Sequence, residues 1–239
     1  MPALQALVFD AYGTLYDVYS VAARAEALFP GKGAALAQLW RTKQLEYSWL
    51  RSLMGTYADF NVVTEQALRY ALAALKLEAP AGANAAAVDV TQSLMAQYVH
   101  LTPYPEVPAA LAQLGQGTTS QGAPAQRRKL AILSNGAPDT LGALVENSGL
   151  AHHFDAVLSV DSERIFKPDM RIYQLAERSL GLARQHIGFV SSNCWDAIGA
   201  ATYGFTVFWI NRTGAPLDLH GRAPDHVIGS LDQIAPLLT

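Results

Sequence analysis

Short apolar runs that end in polar residues are the feature that most constrains the fold of this 239-residue chain. The sequence contains six such runs, at residues 4–9, 129–133, 156–160, 187–190, 205–210 and 226–228. Their length and composition are typical of strands that are buried on both faces of a parallel sheet. Helical patterns separate the later runs, at residues 138–148, 169–180 and 194–203. This alternation predicts the α/β class, with a Rossmann-like, doubly wound parallel sheet and helices on both of its faces.

A long helical region follows the first apolar run. Residues 18–77 have a helical pattern, and a further helical stretch is predicted for about residues 83–98. The clearest helix covers residues 41–53. Four apolar residues recur on one face of this helix, namely Leu45, Trp49, Leu50 and Leu53.

The change of period after this region divides the chain. The segment Thr102-Pro103-Tyr104-Pro105 is predicted to break the helical pattern. We therefore expect an α/β core domain of residues 1–16 and 100–239, with a helical cap subdomain of residues 17–99 inserted in it. Residues 116–126 are rich in Gly, Ser and Pro, which predicts a surface loop before the next strand.

Composition limits the class of partner. The chain has 20 acidic residues and 17 Lys plus Arg, so its net charge of −3 gives no electrostatic reason to expect nucleic acid or a membrane surface as a partner. The one cysteine, Cys194, excludes an intramolecular disulfide framework and a cysteine-based zinc cluster. The start of the sequence lacks the pattern of a signal peptide, and no segment approaches about 20 apolar residues. We therefore expect a cytoplasmic protein.

Polar side chains follow the carboxyl ends of four of the predicted strands. They are Asp10 and Thr14 after the first, Ser134 and Asn135 after the second, Lys167 after the third, and Ser191, Asn193 and Asp196 after the fourth. In an open parallel sheet, ligands bind beyond these strand ends, so we expect the side chains to converge on one site. A carboxylate, an ammonium group, hydroxyls and an amide together can support nucleophilic catalysis by the carboxylate.

This arrangement resembles the haloacid dehalogenase superfamily, and the resemblance covers nearly the whole chain. Four motifs carry it, in order: Asp10-Ala11-Tyr12-Gly13-Thr14-Leu15, Ile132-Leu133-Ser134-Asn135-Gly136, Lys167-Pro168, and Val190-Ser191-Ser192-Asn193-Cys194-Trp195-Asp196.

Two positions distinguish this chain from the magnesium-dependent phosphatases that make up most of the superfamily. Those enzymes have a general acid two residues after the nucleophile, where this chain has Tyr12, which cannot do that work near neutral pH. Their fourth motif usually has a Mg²⁺-binding acid where this chain has Ser192, and Mg²⁺ prefers anionic oxygen ligands. Both differences favour the L-2-haloacid dehalogenase (type II) branch.

A second signature supports that branch. Residues 40–49, Trp-Arg-Thr-Lys-Gln-Leu-Glu-Tyr-Ser-Trp, are similar to the cap motif in which the first arginine receives the departing halide. The resemblance implies this role for Arg41, together with Asn135; arginine suits it because it stays charged and offers several donors. It also implies an apolar substrate pocket made of four residues, Tyr12, Leu45, Phe60 and Trp195, although such side chains are equally typical of a plain core.

The resemblance implies a reaction in two steps. Asp10 attacks C2 of a short (S)-2-haloacid and displaces halide from the opposite side, which leaves an ester on Asp10; water then attacks the Asp10 carbonyl and releases the (R)-2-hydroxy acid. Ser134 and backbone amides would hold the substrate carboxylate, and Lys167 would stabilise charge at Asp10. The remaining residues would place or activate the water and support the network: Ser191, Asn193 and Asp196, with Thr14 and Tyr173. No metal or organic cofactor is implied.

Two other functions stay open from the sequence, a magnesium-dependent phosphatase of the same superfamily and a non-catalytic α/β binding module. The resemblance also implies a homodimer. Apolar residues of the 45–54 helix fit either the dimer interface or the core of the cap.

Overall fold

The computed structural model describes residues 3–77, 89–116 and 127–238. The strands in chain order are β1 (Ala6–Phe9), β2 (Tyr16–Asp17), β3 (Thr102–Pro103), β4 (Lys129–Ser134), β5 (Ala156–Ser159), β6 (Ile187–Ser191), β7 (Thr206–Ile210) and β8 (His226–Ile228). The helices are α1 (Val21–Leu28), α2 (Gly33–Met54), α3 (Phe60–Ala74), α4 (Val90–Met95), α5 (Val107–Gly115), α6 (Pro138–Asn147), α7 (Met170–Leu180) and α8 (Cys194–Tyr203). Short 3₁₀ helices cover Val18–Ser20, Ala96–Val99, Ala151–His153, Val160–Glu163, Arg184–His186, Leu231–Gln233 and Ala235–Leu238.

Six strands form one parallel sheet in the order β5-β4-β1-β6-β7-β8, which confirms the predicted α/β class. The four residues of β1 are fully buried because the strand lies in the middle of the sheet, and this explains its continuous apolar sequence. The strand order reverses at β1, with β4 on one side and β6 on the other. The carboxyl ends of these three strands therefore form the switch point at which a doubly wound sheet binds its ligands.

The segment predicted only as a breaker contains a strand. Thr102 and Pro103 pair antiparallel with Tyr16 and Asp17 in a separate two-stranded sheet. Proline is tolerated here because a strand in a two-stranded sheet has a free edge, where no ladder donor is needed. The predicted break of the helical pattern at residues 102–105 is confirmed, since no helix covers them, and the short ladder is an addition that the sequence did not predict.

The long helix α2 begins at Gly33, eight residues before the predicted start, and it ends at Gly55 in the left-handed conformation (φ 67°). Its buried face is not the apolar one that the sequence suggested, since Leu50 is 43% and Leu53 is 83% exposed. The buried residues of the helix are instead Gly33, Leu36, Ala37, Trp40, Arg41, Gln44 and Ser48. The apolar periodicity failed because this face contacts polar partners on α3, so polar side chains are buried in it.

The other predicted elements agree with the observed bounds within a residue or two at most ends. The region 18–77 contains α1, α2 and α3. Asp59 caps the start of α3, because its carboxylate accepts hydrogen bonds from the backbone N–H groups of Asn61 and Val62. Residues 83–88 of the predicted helix and 117–126 of the predicted loop lie outside the described residues. In the described part of the chain, no helix combines the length and the hydropathy needed to cross a membrane.

Candidate active site

Asp10 is the first residue after β1 and is held at the switch point of the sheet. Its backbone N–H donates to the carbonyl of Val190 (2.9 Å), which continues the pairing with β6 by one residue. Its Oδ1 accepts from Lys167 Nζ (3.1 Å). Its Oδ2 accepts from Thr14 Oγ1 (2.9 Å) and Asn193 Nδ2 (2.8 Å). The carboxylate is thus fixed by three donors while only 5% of the residue is exposed.

Lys167 lies between two carboxylates. Its Nζ also donates to Asp196 Oδ2 (2.9 Å), and the side chain is 1% exposed. Burial alone would lower the pKa of Lys167, but Asp10 and Asp196 raise it above the usual value, so the ammonium form is held. The backbone N–H of Lys167 donates to Asn135 Oδ1 (3.0 Å), which links the position of this lysine to the end of β4.

Asp196, in the first turn of α8, is fully buried. Its Oδ1 accepts from the hydroxyl of Tyr173 (2.8 Å) on α7. Burial raises the pKa of Asp196 to about 6, with Asp10 acting in the same direction and Lys167 opposing it. Burial and Asp196 raise the pKa of Tyr173 well above its usual value, so the phenol stays a donor. Asp196 is therefore a carboxylate whose basicity suits proton transfer near neutral pH.

The turn after β1 and the turn after β6 are tied together. The backbone N–H of Ser192 donates to Thr14 Oγ1 (2.8 Å), and Asn193 Nδ2 donates to the carbonyl of Tyr12 (3.1 Å) as well as to Asp10. Ser191 Oγ accepts from the backbone N–H of Asn193 (3.2 Å). Thr14, Ser191 and Asn193 thus hold the loop that carries Asp10, and Ser192 joins them where the superfamily phosphatases have an acid.

Two donors at the end of β4 are left free toward the site. Ser134 Oγ accepts from the backbone N–H of Gly136 (3.1 Å), and among the described residues its own proton is donated to nothing. Asn135 uses its Oδ1 on Lys167, and within the same residues its Nδ2 has no acceptor. Both side chains are buried, at 0% and 7% exposure. A hydroxyl and an amide N–H are therefore available for an anionic ligand.

On the helical side, Arg41 is 9% exposed and its Nη1 donates to Gln44 Oε1 (2.7 Å). No ion pair involves Arg41 in the part of the chain that the structure describes. Gln44 donates through Nε2 to Thr64 Oγ1 (2.8 Å) and to Tyr98 Oη (3.2 Å). The guanidinium is thus oriented by a neutral amide.

Tyr12 lies between the polar residues at the strand ends and the Arg41 network on the helical side. Its ring stacks on Phe60 (5.9 Å between centroids) and packs edge-on against Tyr98 (6.0 Å). Burial raises the pKa of Tyr12. The groups of Tyr98 and Asp10 act in the same direction and Arg41 opposes them, so Asp10 and Arg41 both act on this one ring. Its hydroxyl is buried without a hydrogen-bond partner among the described residues.

The other two predicted pocket residues are placed differently. Leu45 is half-buried on α2, four residues after Arg41, and so lies on the same side of the helix. Trp195 packs edge-on against Trp49 (5.4 Å) rather than against the Tyr12–Phe60 pair. Trp195 and Lys167 both line a cavity of about 640 Å³.

Sequence reasoning missed Gln44, Thr64 and Tyr98. Gln44 could have been found, since residues i and i+3 are neighbours on a helix and Arg41 precedes it by three positions. Thr64 and Tyr98 come from other elements and gave no local signal. For metal binding, residues 3–77, 89–116 and 127–238 contain no group of three or more His, Cys, Asp or Glu side chains arranged around a common point.

Comparison with known proteins agrees with this geometry. Residues 4–204 match the model of the haloacid dehalogenase-like hydrolase family. The chain is 45% identical over 239 residues to an (S)-2-haloacid dehalogenase of Pseudomonas sp. strain YL. The match covers 99% of this chain and 95% of that protein. It is 43% identical over 238 residues to haloacetate dehalogenase H-2 of Moraxella sp. strain B, with 100% and 99% covered.

A solved structure of L-2-haloacid dehalogenase from Xanthobacter autotrophicus with chloropropionic acid covalently bound superposes with a TM-score of 0.84. The two chains are 43% identical, and 98% of each is covered. Sequence and fold thus agree over nearly the whole chain, which therefore belongs to the haloacid dehalogenase-like hydrolases.

Proposed function

We propose that this chain is an (S)-2-haloacid dehalogenase, which converts short (S)-2-haloacids into (R)-2-hydroxy acids and halide through an ester on Asp10. One observation carries the proposal: Lys167 bridges the buried carboxylates of Asp10 and Asp196, while Arg41 forms no ion pair with any carboxylate that the structure describes. The (S)-2-haloacid dehalogenases that resemble the chain over its full length support the substrate class.

In the first step an Asp10 oxygen attacks C2 of the substrate, and halide leaves from the opposite face with inversion. Lys167, Thr14 and Asn193 hold the carboxylate, so the attacking oxygen is oriented before the substrate arrives. Ser134 and neighbouring backbone N–H groups bind the substrate carboxylate. Arg41 and the free Nδ2 of Asn135 receive the halide, whose charge develops in the transition state. Tyr12, Phe60, Leu45 and Trp195 line the pocket around the substrate.

In the second step water attacks Cγ of Asp10, so the stereocentre is not touched again. Asp196 accepts the proton of this water, because burial has raised its basicity and Tyr173 orients it. Ser191 and Asn193 hold the turn after β6 in the conformation that positions the water. Negative charge passes onto the Asp10 carbonyl oxygen, and Lys167 is placed to stabilise it. The Cγ–O bond then breaks, the proton held by Asp196 passes to the leaving alkoxide oxygen to give the hydroxy acid, and loss of the second water proton to solvent restores the Asp10 carboxylate.

The N–H donors around the Asp10 carboxylate argue against the function of a magnesium-dependent phosphatase. Asp10 Oδ2 and the carbonyl of Tyr12 both accept from Asn193 Nδ2, so these oxygens already face N–H groups instead of a cation. Ser192 supplies no carboxylate to offset a divalent metal. The two carboxylates and two cations of the site sum to zero, so a haloacid monoanion adds one net negative charge whereas a phosphoryl dianion adds two. A phosphoryl dianion would be poorly compensated.

A non-catalytic binding module is disfavoured by the same groups. Burial of two carboxylates and an ammonium ion costs roughly several kcal/mol per ion in desolvation. Such a buried ion network is therefore a weak source of stability. A protein that only binds a ligand needs no second carboxylate with a raised pKa behind the first.

We extend the proposal to the assembly and the domains. Residues 17–99 are proposed to form a cap over a core of residues 1–16 and 100–239, with the substrate between them. The exposed apolar side chains of Leu50, Leu53 and Met54 on α2 support a homodimer interface rather than cap core. The cytoplasmic location and the absence of nucleic-acid and membrane partners stay predictions of the sequence.

The proposal is tested by measuring halide release from (S)-2-chloropropionate with EDTA present. We expect turnover that is insensitive to EDTA and an (R)-2-hydroxy acid as the product. The (R)-enantiomer is the matched control and should not be turned over. If halide release is absent while phosphate esters are hydrolysed with Mg²⁺, the dehalogenase assignment is wrong.

A further inference from the structure

Arg41 is a buried cation that has no anionic partner among residues 3–77, 89–116 and 127–238. Its guanidinium has five N–H donors, and in the described residues only one hydrogen bond of the group is formed, from Nη1 to Gln44 Oε1 (2.7 Å). A buried arginine is normally paired with a carboxylate, because leaving a charge unpaired in a desolvated place is costly. Here the partner is the neutral amide of Gln44, which fixes the direction of the guanidinium and leaves the net charge of Arg41 unchanged.

The amide of Gln44 can have only one orientation in this network. Arginine has no acceptor, so the side of the amide that faces Arg41 has to be the oxygen. The NH₂ group then points at Thr64 Oγ1 (2.8 Å) and Tyr98 Oη (3.2 Å), which both act as acceptors. Gln44 is fully buried, so no water competes for these bonds. The orientation of Arg41 is therefore determined by hydroxyls on α3 and on the 3₁₀ helix Ala96–Val99.

Thr64 is itself held by α2. Its carbonyl accepts from Trp40 Nε1 (2.8 Å), and the Trp40 ring packs edge-on against Tyr98 (5.2 Å). The two acceptors of Gln44 are thus fixed by a residue one position before Arg41. The three helical segments thus share one polar network, and the other N–H donors of the Arg41 guanidinium have no hydrogen-bond partner among the described residues.

We infer that Gln44 is a positioning residue, which holds the Arg41 guanidinium toward the departing halide without neutralising its charge. The inference rests on the proposed function for the role of Arg41. This role explains why a polar side chain occupies a fully buried position on α2. A glutamate would orient the guanidinium equally well but would cancel the charge that the halide needs. An apolar residue would leave the guanidinium free to turn.

Two variants of Gln44 separate orientation from charge. Gln44→Met keeps about the same volume and removes all three side-chain hydrogen bonds, whereas Gln44→Glu keeps the acceptor and adds a negative charge. Gln38 is exposed on the same helix, so Gln38→Met and Gln38→Glu are matched controls. Thr64→Val removes one acceptor of Gln44 without altering α2, and it serves if both Gln44 variants fail to fold.

We expect kcat for (S)-2-chloropropionate to fall about tenfold to a hundredfold in both Gln44 variants, because hydrogen bonds to a charged group are lost or its charge is cancelled. KM should change little, since the halide charge develops only in the transition state. Thr64→Val should lower kcat by about twofold to tenfold, as expected for a neutral hydrogen bond. The Gln38 controls should match the wild type.

Bromide binding gives a readout that needs no turnover. We expect bromide to raise the Tm of the wild type and of the Gln38 variants, and to raise it much less in Gln44→Glu, Gln44→Met and Arg41→Met. A merely structural Gln44 would change the Tm without bromide and leave the bromide-induced rise intact, which would overturn the inference. A wild type without halide release but with Gln44-dependent bromide binding would refute the proposed function, and of the inference it would leave only that Gln44 orients Arg41 for an anion. A wild type that shows neither would refute both.

Discussion

Replacing Tyr173 by Phe should move the acid limb of the hydrolytic step toward higher pH. The Tyr173 hydroxyl donates to Asp196 Oδ1 at 2.8 Å between two buried groups, and it stabilises the ionised carboxylate. A hydrogen bond to a charged group contributes about 1.5–3 kcal/mol. Since one pKa unit corresponds to about 1.36 kcal/mol, its loss should raise the pKa of Asp196 by about one to two units.

The sign of the effect on the rate follows from the role of Asp196. Hydrolysis needs the carboxylate form as a base, so the rate falls as the pH falls through the pKa, which lies at about 6 in the native chain. In Tyr173→Phe that fall should centre between about pH 7 and 8. Attack by Asp10 on the substrate does not use Asp196, so the ester should accumulate at pH 6 in the variant.

Rapid quench at a series of pH values, followed by mass spectrometry of the Asp10 peptide, measures the two steps separately. Tyr57→Phe is a suitable control, because Tyr57 donates to Asp161 Oδ1 at a similar distance (2.7 Å) outside the proposed site. An acid limb that stays in place in Tyr173→Phe would refute the assignment of Asp196 as the base.

Three further predictions concern the ion network and the fold. Lys167→Met should abolish both steps and, because it leaves buried carboxylates unpaired, lower the free energy of unfolding at pH 7 by about 3–5 kcal/mol. Urea titrations should show a smaller deficit at pH 5, since burial raises the pKa of Asp196 and its carboxylate can take up a proton there. Gly188→Ala should cost about 1–3 kcal/mol by overpacking, because a Cβ there would lie 2.6 Å from Leu7 Cδ2, and unchanged urea unfolding would contradict this packing. Asp59→Ala should cost about 1 kcal/mol through loss of the α3 cap, and an unchanged Tm would show that the cap contributes nothing.

The sheet could be predicted from the sequence because its central strands are buried on both faces. Residues 6–9 and 187–190 therefore carry continuous apolar runs, and the polar residue that ends each run marks the switch point. That Asp10 and Lys167 lie together follows from the parallel topology, although they are far apart in sequence. Their roles came from the resemblance to a known family, and they stay proposals here.

The helical region was harder to predict, because its buried face breaks the rule that apolar residues lie inside. Arg41, Gln44 and Ser48 are buried on α2 while Leu53 is exposed. The burial of Gln44 depends on Thr64 and Tyr98, and no local pattern predicts a polar contact between separate elements. The pairing of Tyr16 with Pro103 was missed for the same reason, since its partners are distant in the chain.

The central claim is that Asp10 forms a covalent ester and that water later attacks its carbonyl. A single turnover in H₂¹⁸O with enzyme in excess over (S)-2-chloropropionate tests it most directly. We predict that the hydroxyl oxygen of the product is unlabelled, because it comes from Asp10, and that one heavy oxygen enters the Asp10 carboxylate. A labelled product together with an unlabelled Asp10 would show that water attacks the substrate directly, and would contradict the account.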